Sequence, residues 1–327
     1  MKNILYPLKF KPIAKQKIWG GNSLQQIYRH NDPNIQQIGE TWDVSAMSGN
    51  ESEVINGFLA NNNLAELVEV YMSDLVGDKV FQRYGTEFPL LVKLIDAAED
   101  LSIQVHPNDE IAEKRHQGHG KTEMWYILDA TSEASIILGF SEPVDKETLA
   151  KKLEDNTIET CLNKISVKPG DIFLVPAGTV HSIGKGCLIL EIQQASDLTY
   201  RLYDYNRQDI NGQLRELHTE WALDAIDYEH WKAEKLTPVC QNNEICNVVD
   251  HEYFTSNQIH LTNTQEYDLA SIDSFVLLSC IHGHVHCEYD DGYVTIVDGE
   301  TILLPAEMNS LTLVPSVESI LLETYIK

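Results

Sequence analysis

The chain has 327 residues, 43% hydrophobic and 23% charged, and its 24 basic against 50 acidic side chains leave a formal charge of −26. That field works against nucleic acid or an anionic membrane surface as a partner, and no segment approaches the roughly eighteen apolar residues of a membrane span. The length suits two domains, or one large β-rich domain with additions.

At the start, Met1-Lys2-Asn3-Ile4-Leu5-Tyr6-Pro7-Leu8-Lys9 places lysine and proline where a signal peptide needs a long apolar run. Six cysteines, at 161, 187, 240, 246, 280 and 287, form no CxxC pair and no dense cluster. The expectation is a cytoplasmic protein with scattered reduced thiols.

Helical periodicity is confined to insertions expected at about 60–85, 108–117, 141–157 and 219–231. Asn62-Asn63-Leu64 can cap the first of them, with Leu64, Leu67, Val68, Tyr71, Leu75 and Val80 on its apolar side. Apolar strands are expected at 89–95, 101–105, 124–128, 135–140, 172–175 and 187–193, so the chain reads as mostly β. The stretch 233–247, broken by Lys235, Pro238, Gln241, Asn242 and Asn243, reads as a linker, which divides the chain near 240.

An internal echo suggests two similar barrels. Gly170-Asp171-Ile172-Phe173-Leu174-Val175-Pro176-Ala177 returns as Gly299-Glu300-Thr301-Ile302-Leu303-Leu304-Pro305-Ala306. Glycine opens a turn, the apolar run makes a strand and proline ends it. The copies differ beyond the proline: Gly178 and His181 follow the first, Glu307 and Ser310 the second.

The chemistry-bearing residues are Gln104 and His106, then Glu123, then His181. Imidazole, carboxylate and amide oxygen form a mixed ligand set suited to zinc or another first-row divalent ion. Gln104 and His106 are two apart, so on a strand they leave the same face. The denser cluster His282, His284 and His286 surrounds Gly283 and reads instead as a solvated turn.

Gly170, Pro176, Gly178 and His181 fit the second motif of the cupin barrels, which bind metal inside a double-stranded β-helix. Leu101 to Asn108, Gly120-Lys121-Thr122-Glu123-Met124-Trp125, and the run from Glu191 through Ser196-Asp197 to Arg201 resemble the type I mannose-6-phosphate isomerases. The resemblance extends from Pro7, Trp19-Gly20-Gly21 and Gly39-Glu40-Thr41-Trp42 to the carboxyl end. It implies two cupin-type, jelly-roll barrels: 1–240, catalytic and carrying the helical insertions, and 241–327, lacking metal ligands. It also implies one zinc ion per chain on Gln104, His106, Glu123 and His181, an essential Arg201, and Ser102, Lys93 and Lys121 lining a sugar-phosphate pocket. Arg207 stands where larger family members have lysine, and it keeps the charge for phosphate.

The implied reaction interconverts mannose 6-phosphate and fructose 6-phosphate through an enediol. A proton leaves carbon beside a carbonyl, and a divalent ion stabilises the oxyanion that develops. Glu191 is the candidate base, because its apolar strand Leu188-Ile189-Leu190-Glu191-Ile192 favours a raised pKa; Arg201 and Lys121 complete the catalytic set. The expected partner is a small sugar phosphate, on a monomer or weak homodimer. The alternative is a non-catalytic metal-containing cupin that binds a sugar or sugar phosphate.

Overall fold

The computed structural model describes residues 5–28, 37–208, 212–229 and 235–327. The chain is mostly β, its strand pairs antiparallel, with a few short helices. It divides into two compact units, one of Met1–Ile13, Trp42–Leu91 and Thr237–Lys327, the other of Ala14–Thr41 and Val92–Leu236. No helix among the described residues is long and apolar enough to cross a membrane.

In the second of these units a five-stranded sheet runs in the order Leu162–Ser166, Ser135–Phe140, His181–Ile183, Ile103–Val105, Tyr200–Tyr203. Facing it is a sheet containing Ile172–Val175, Glu123–Ala130, Cys187–Gln194 and Leu90–Ala97 as successive neighbours. Trp125, Ile127, Phe173 and Ile189 of one sheet pack against Ile136, Leu138 and Ile183 of the other. Ile103 and Val105 turn to the outer face, where Leu149, Ala222 and Leu223 of two helices cover them. Strand alternation then directs Gln104 inward. The hydrogen-bonded sheets are open and do not close into cylinders.

The C-terminal strands repeat this layout. Thr301–Leu304, Val276–His282 and Ser319–Tyr325 are successive neighbours, as are Ile172–Val175, Glu123–Ala130 and Cys187–Gln194. The echoing Gly170 and Gly299 have φ of +87° and +81°, a turn conformation natural to glycine. Register extends the repeat: Glu191 lies opposite Trp125, which lies opposite Phe173, while Glu323 lies opposite Leu278, which lies opposite Ile302. Glu323 therefore occupies the sheet position of Glu191.

Glu323 is 2% exposed and accepts from Asn257 Nδ2 at 2.7 Å and from the Tyr267 hydroxyl. Burial pushes its pKa up. A carboxyl whose folded pKa lies above its unfolded value, about 4.3, stabilises the fold most below that value and loses the contribution as pH rises through the folded pKa. Glu323→Gln should therefore shrink the difference in stability between pH 4.5 and 7.5 by removing the loss at the higher pH. Urea unfolding at the two pH values measures this, and an unchanged difference would locate the pH dependence elsewhere.

Three expected elements change in detail. The helix expected over 60–85 is two, Leu64–Val76 and Asp78–Tyr84, parted at Gly77, whose φ is +93° and whose Cβ would lie 2.6 Å from the Asp273 carbonyl oxygen. Asn63 and Glu66 cap the first reciprocally. The insertion at 141–157 becomes Lys146–Glu154, begun where Asp145 accepts from the Thr148 N–H at 2.7 Å. The helix at 219–231 is Thr219–Ala225; the chain leaves it so that Asp227 N–H can bond Gly178 O at 2.9 Å, and Trp231 lies outside the described residues.

The cysteines also need correcting. Cys240 and Cys246 are disulfide-bonded, while Cys161, Cys187, Cys280 and Cys287 are free and buried. Asn243 turns the loop between them with φ +62°, fixed by bonds from its Nδ2 to Thr262 Oγ1 and to its Oδ1 from Thr262 N–H. The Cα atoms of the pair are thereby 5.4 Å apart, within the usual range for a disulfide. Sequence separation alone carried no sign of this.

Candidate active site

His181 pairs with Gln104, and Gln104 with Arg201, across three neighbouring strands. Residues opposed on antiparallel strands project from one face, as do residues two apart along a strand. Ser102 and His106 therefore join the same row. From the facing sheet come Glu123 and Trp125, opposite Gln193 and Glu191.

His106 Nδ1 lies 2.7 Å from Leu198 O, and His181 Nδ1 lies 2.8 Å from Thr179 O. A carbonyl only accepts, so each Nδ1 carries the proton and each Nε2 presents a lone pair. The two Nε2 atoms are 3.1 Å apart, and Glu123 Oε1 is 2.7 Å from His106 Nε2. That buried oxygen makes no hydrogen bond. Three electron-rich atoms facing one another with no proton between them repel, and a divalent cation removes the repulsion. His106, Glu123 and His181 form a metal-capable cluster with all ligand atoms within 4.8 Å of one another. Gln104 is beside them, its Nε2 3.2 Å from His181 Nε2 and its Oε1 accepting from Ser102 Oγ at 3.3 Å. A half-turn of the amide exchanges its oxygen and nitrogen.

The electrostatics suit a cation. Burial holds both imidazoles below the ordinary histidine range, with the Lys121 charge adding to the effect at His106. Burial pushes Glu123 up, but the charge of Lys121, with His181, Glu191 and Lys93 acting in the same direction, outweighs it and brings the carboxyl to about 2. Glu191 moves the other way: burial and the Glu123 charge raise it against the pull of Lys93 and Lys121. Two neighbouring carboxyls are thus driven apart, one a firm anion and the other closer to neutrality.

Trp125 links them. Its indole Nε1–H reaches Glu123 Oε2 at 2.8 Å and Glu191 Oε2 at 2.9 Å. From the sequence this tryptophan reads as core and pocket wall, but its nitrogen is a polar tie between the candidate ligand and the candidate base. Trp125→Phe should weaken metal retention about 10- to 100-fold, the scale of losing a group that orients a ligand. Competition with a chromophoric chelator measures this; unaltered metal affinity would leave Trp125 a packing residue.

The remaining sequence candidates divide into two groups. Lys121 Nζ is 3.3 Å from Glu123 Oε1, and the buried Lys93 Nζ is 3.2 Å from Glu191 Oε1. Burial opposes the Lys93 charge, but Glu191, Glu40 and Glu123 raise its pKa on balance, so it stays cationic. Arg201 Nε donates to Ser102 Oγ at 3.3 Å. Arg207 is held elsewhere, donating to Asp204 Oδ1 at 2.6 Å and to Asp100 O.

Sequence reading missed Asp204, Arg215 and His218. Arg215 Nε donates to Asp204 Oδ2 at 2.6 Å, so two guanidinium groups share one carboxylate; burial lowers the pKa of Arg201, and both guanidinium charges add to that. This is a local cationic patch in a strongly acidic chain. A groove of about 430 Å³ has Asp204, Arg207, Arg215 and Leu214 among its lining residues. The larger cavity of about 580 Å³, with Gly21, Asp129 and Lys185 in its lining, shares none of the residues of the ligand row.

Residues 7–138 match the family model for the catalytic domain of type I phosphomannose isomerase, and residues 244–323 that for the cupin domain of mannose-6-phosphate isomerase. The chain is 39% identical over 302 residues to the mannose-6-phosphate isomerase ManA of Bacillus subtilis, covering 91% of this chain and 93% of that protein. It is 38% identical over 276 residues to the mannose-6-phosphate isomerase of Streptococcus mutans, covering 81% and 84%. The crystal structure of the mannose 6-phosphate isomerase from Bacillus subtilis superposes with a TM-score of 0.88 at 35% identity, over 98% of this chain and 100% of that one. At these identities over these lengths, the chain belongs to the type I mannose-6-phosphate isomerase family and is an enzyme of it.

Proposed function

We propose that this enzyme interconverts mannose 6-phosphate and fructose 6-phosphate through an enediol. In this reading one zinc ion per chain is held by His106, Glu123, His181 and the turned amide of Gln104. The ligands sit in a cupin-type barrel within 1–240, and 241–327 is a second cupin-like barrel without ligands. The observation that carries the reading is the convergence of two imidazole lone pairs and a buried carboxylate oxygen that makes no hydrogen bond, beside a second, more basic carboxyl. A divalent ion held by His106, Glu123 and His181 would supply Lewis-acid stabilisation of the oxyanion that develops on the sugar.

The protein's own groups do the rest. Glu191 takes the proton from carbon, with Lys93 keeping it ionised and Trp125 fixing its direction. Arg201, one strand from Gln104, faces the same side and donates to charge that develops on the sugar. Lys121 adds a second cation at the ligand row. Ser102 and Arg207, with Arg215 alongside, receive the phosphate. A coupled assay for fructose 6-phosphate, with and without chelator and with metal content measured on the same sample, tests the reading. Turnover that follows zinc content supports it, and a zinc-loaded protein without turnover leaves the binding alternative.

A further inference from the structure

We propose that His218 is a positioning residue that holds Arg201 in the catalytic row. The proposal rests on the role given to Arg201 above and concerns a side chain that touches neither substrate nor ligand set. Tyr200–Tyr203 is the last strand of the five-stranded sheet, so among the described residues no strand lies on one side of its backbone. There His218 takes the place of a strand: its N–H donates to Arg201 O at 2.8 Å, and the Arg201 N–H donates to His218 Nδ1 at 3.2 Å.

Both backbone groups of Arg201 thus face away from Gln104, which makes Arg201 and Gln104 a non-hydrogen-bonded pair, the arrangement that brings opposed side chains closest. The same segment reaches the guanidinium, whose Nη1 donates to Glu216 O at 2.9 Å.

The imidazole is not needed by its own helix. His218 immediately precedes Thr219–Ala225, yet its side chain makes no capping bond there. Its ring instead stacks on Trp221, with centroids 6.1 Å apart and planes 17° from parallel. Burial and the charge of Arg201 both hold its pKa below the ordinary histidine value, which keeps Nδ1 available as an acceptor. Without that acceptor the Arg201 N–H is unsatisfied, and the edge strand keeps one of its two outer ties, the bond from the His218 N–H to Arg201 O. A misplacement of about 1 Å at such a group costs on the order of 100-fold in rate.

The test is steady-state kinetics on the zinc-loaded full chain. His218→Ala should lower kcat about 10- to 100-fold with KM within about threefold. His218→Asn places an amide oxygen near the position of Nδ1 and should recover kcat to within about threefold. His218→Gln puts its oxygen one bond farther out and should not recover it. In an Arg201→Lys background, His218→Ala should cost little more, because the group it positions is already altered. Equal losses in both backgrounds, or equal rescue by Gln and Asn, overturn the proposal. If the alanine variant does not fold, the Asn and Gln variants decide. Normal activity of Arg201→Lys alone would instead remove the catalytic reading of Arg201, a different failure with a different signature.

Discussion

Alanine at position 181 is expected to lower isomerase turnover at least about 1,000-fold and to release the metal into mild chelators. His181 contributes one of two inward lone pairs, and its direction is set by the Thr179 carbonyl, 2.8 Å from Nδ1. The variant has a second consequence that separates metal loss from simple damage.

A metal ion held by the folded site would stabilise it by mass action, about 4 kcal/mol at a thousandfold excess over Kd. Adding chelator should therefore lower the melting temperature of the wild type by several degrees and leave His181→Ala unmoved. An equal chelator response in both proteins would place the metal somewhere other than on His181.

What could be read before folding follows from how local each signal is. Gln104 and His106 needed only the two-residue period of a strand, and Gly170 to His181 needed only a turn, a strand and a proline. Those motifs carry their geometry with them. His218 gave no sign, because its partner is the backbone of Arg201, 17 residues away, and any residue has a backbone. Arg215 sits in no pattern and is defined by sharing Asp204 with Arg207. The equivalence of Glu323 and Glu191 lies in the pairing register of two strands, which spacing along the chain does not fix. Helix ends moved for the same reason: Asp227 stops one to reach Gly178, and Gly77 parts another where Asp273 approaches.

Glu191→Gln is the sharpest test of the proton transfer, since it keeps shape and removes only the charge and basicity. Glu191 Oε1 is 3.2 Å from Lys93 Nζ and Oε2 is 2.9 Å from Trp125 Nε1, so the amide oxygen can still accept from the indole while the ion pair is lost. Turnover should fall about 100- to 10,000-fold, the usual worth of a positioned base, with metal content unchanged. Exchange of the C2 hydrogen with solvent deuterium should fall with it, and exchange at the normal rate would sink the assignment.

The pH profile supplies an independent reading of the same residue. A base works ionised, so the rate should rise with pH through the folded pKa of Glu191, which burial and Glu123 hold above the ordinary glutamate value. Lys93 is the first of the groups that pull that pKa down. Lys93→Met should therefore move the acid limb to higher pH, and in Glu191→Gln the limb should vanish. A limb that stays in place through both substitutions belongs to another group, and Lys121, 3.3 Å from Glu123, becomes the residue to test for the proton transfer.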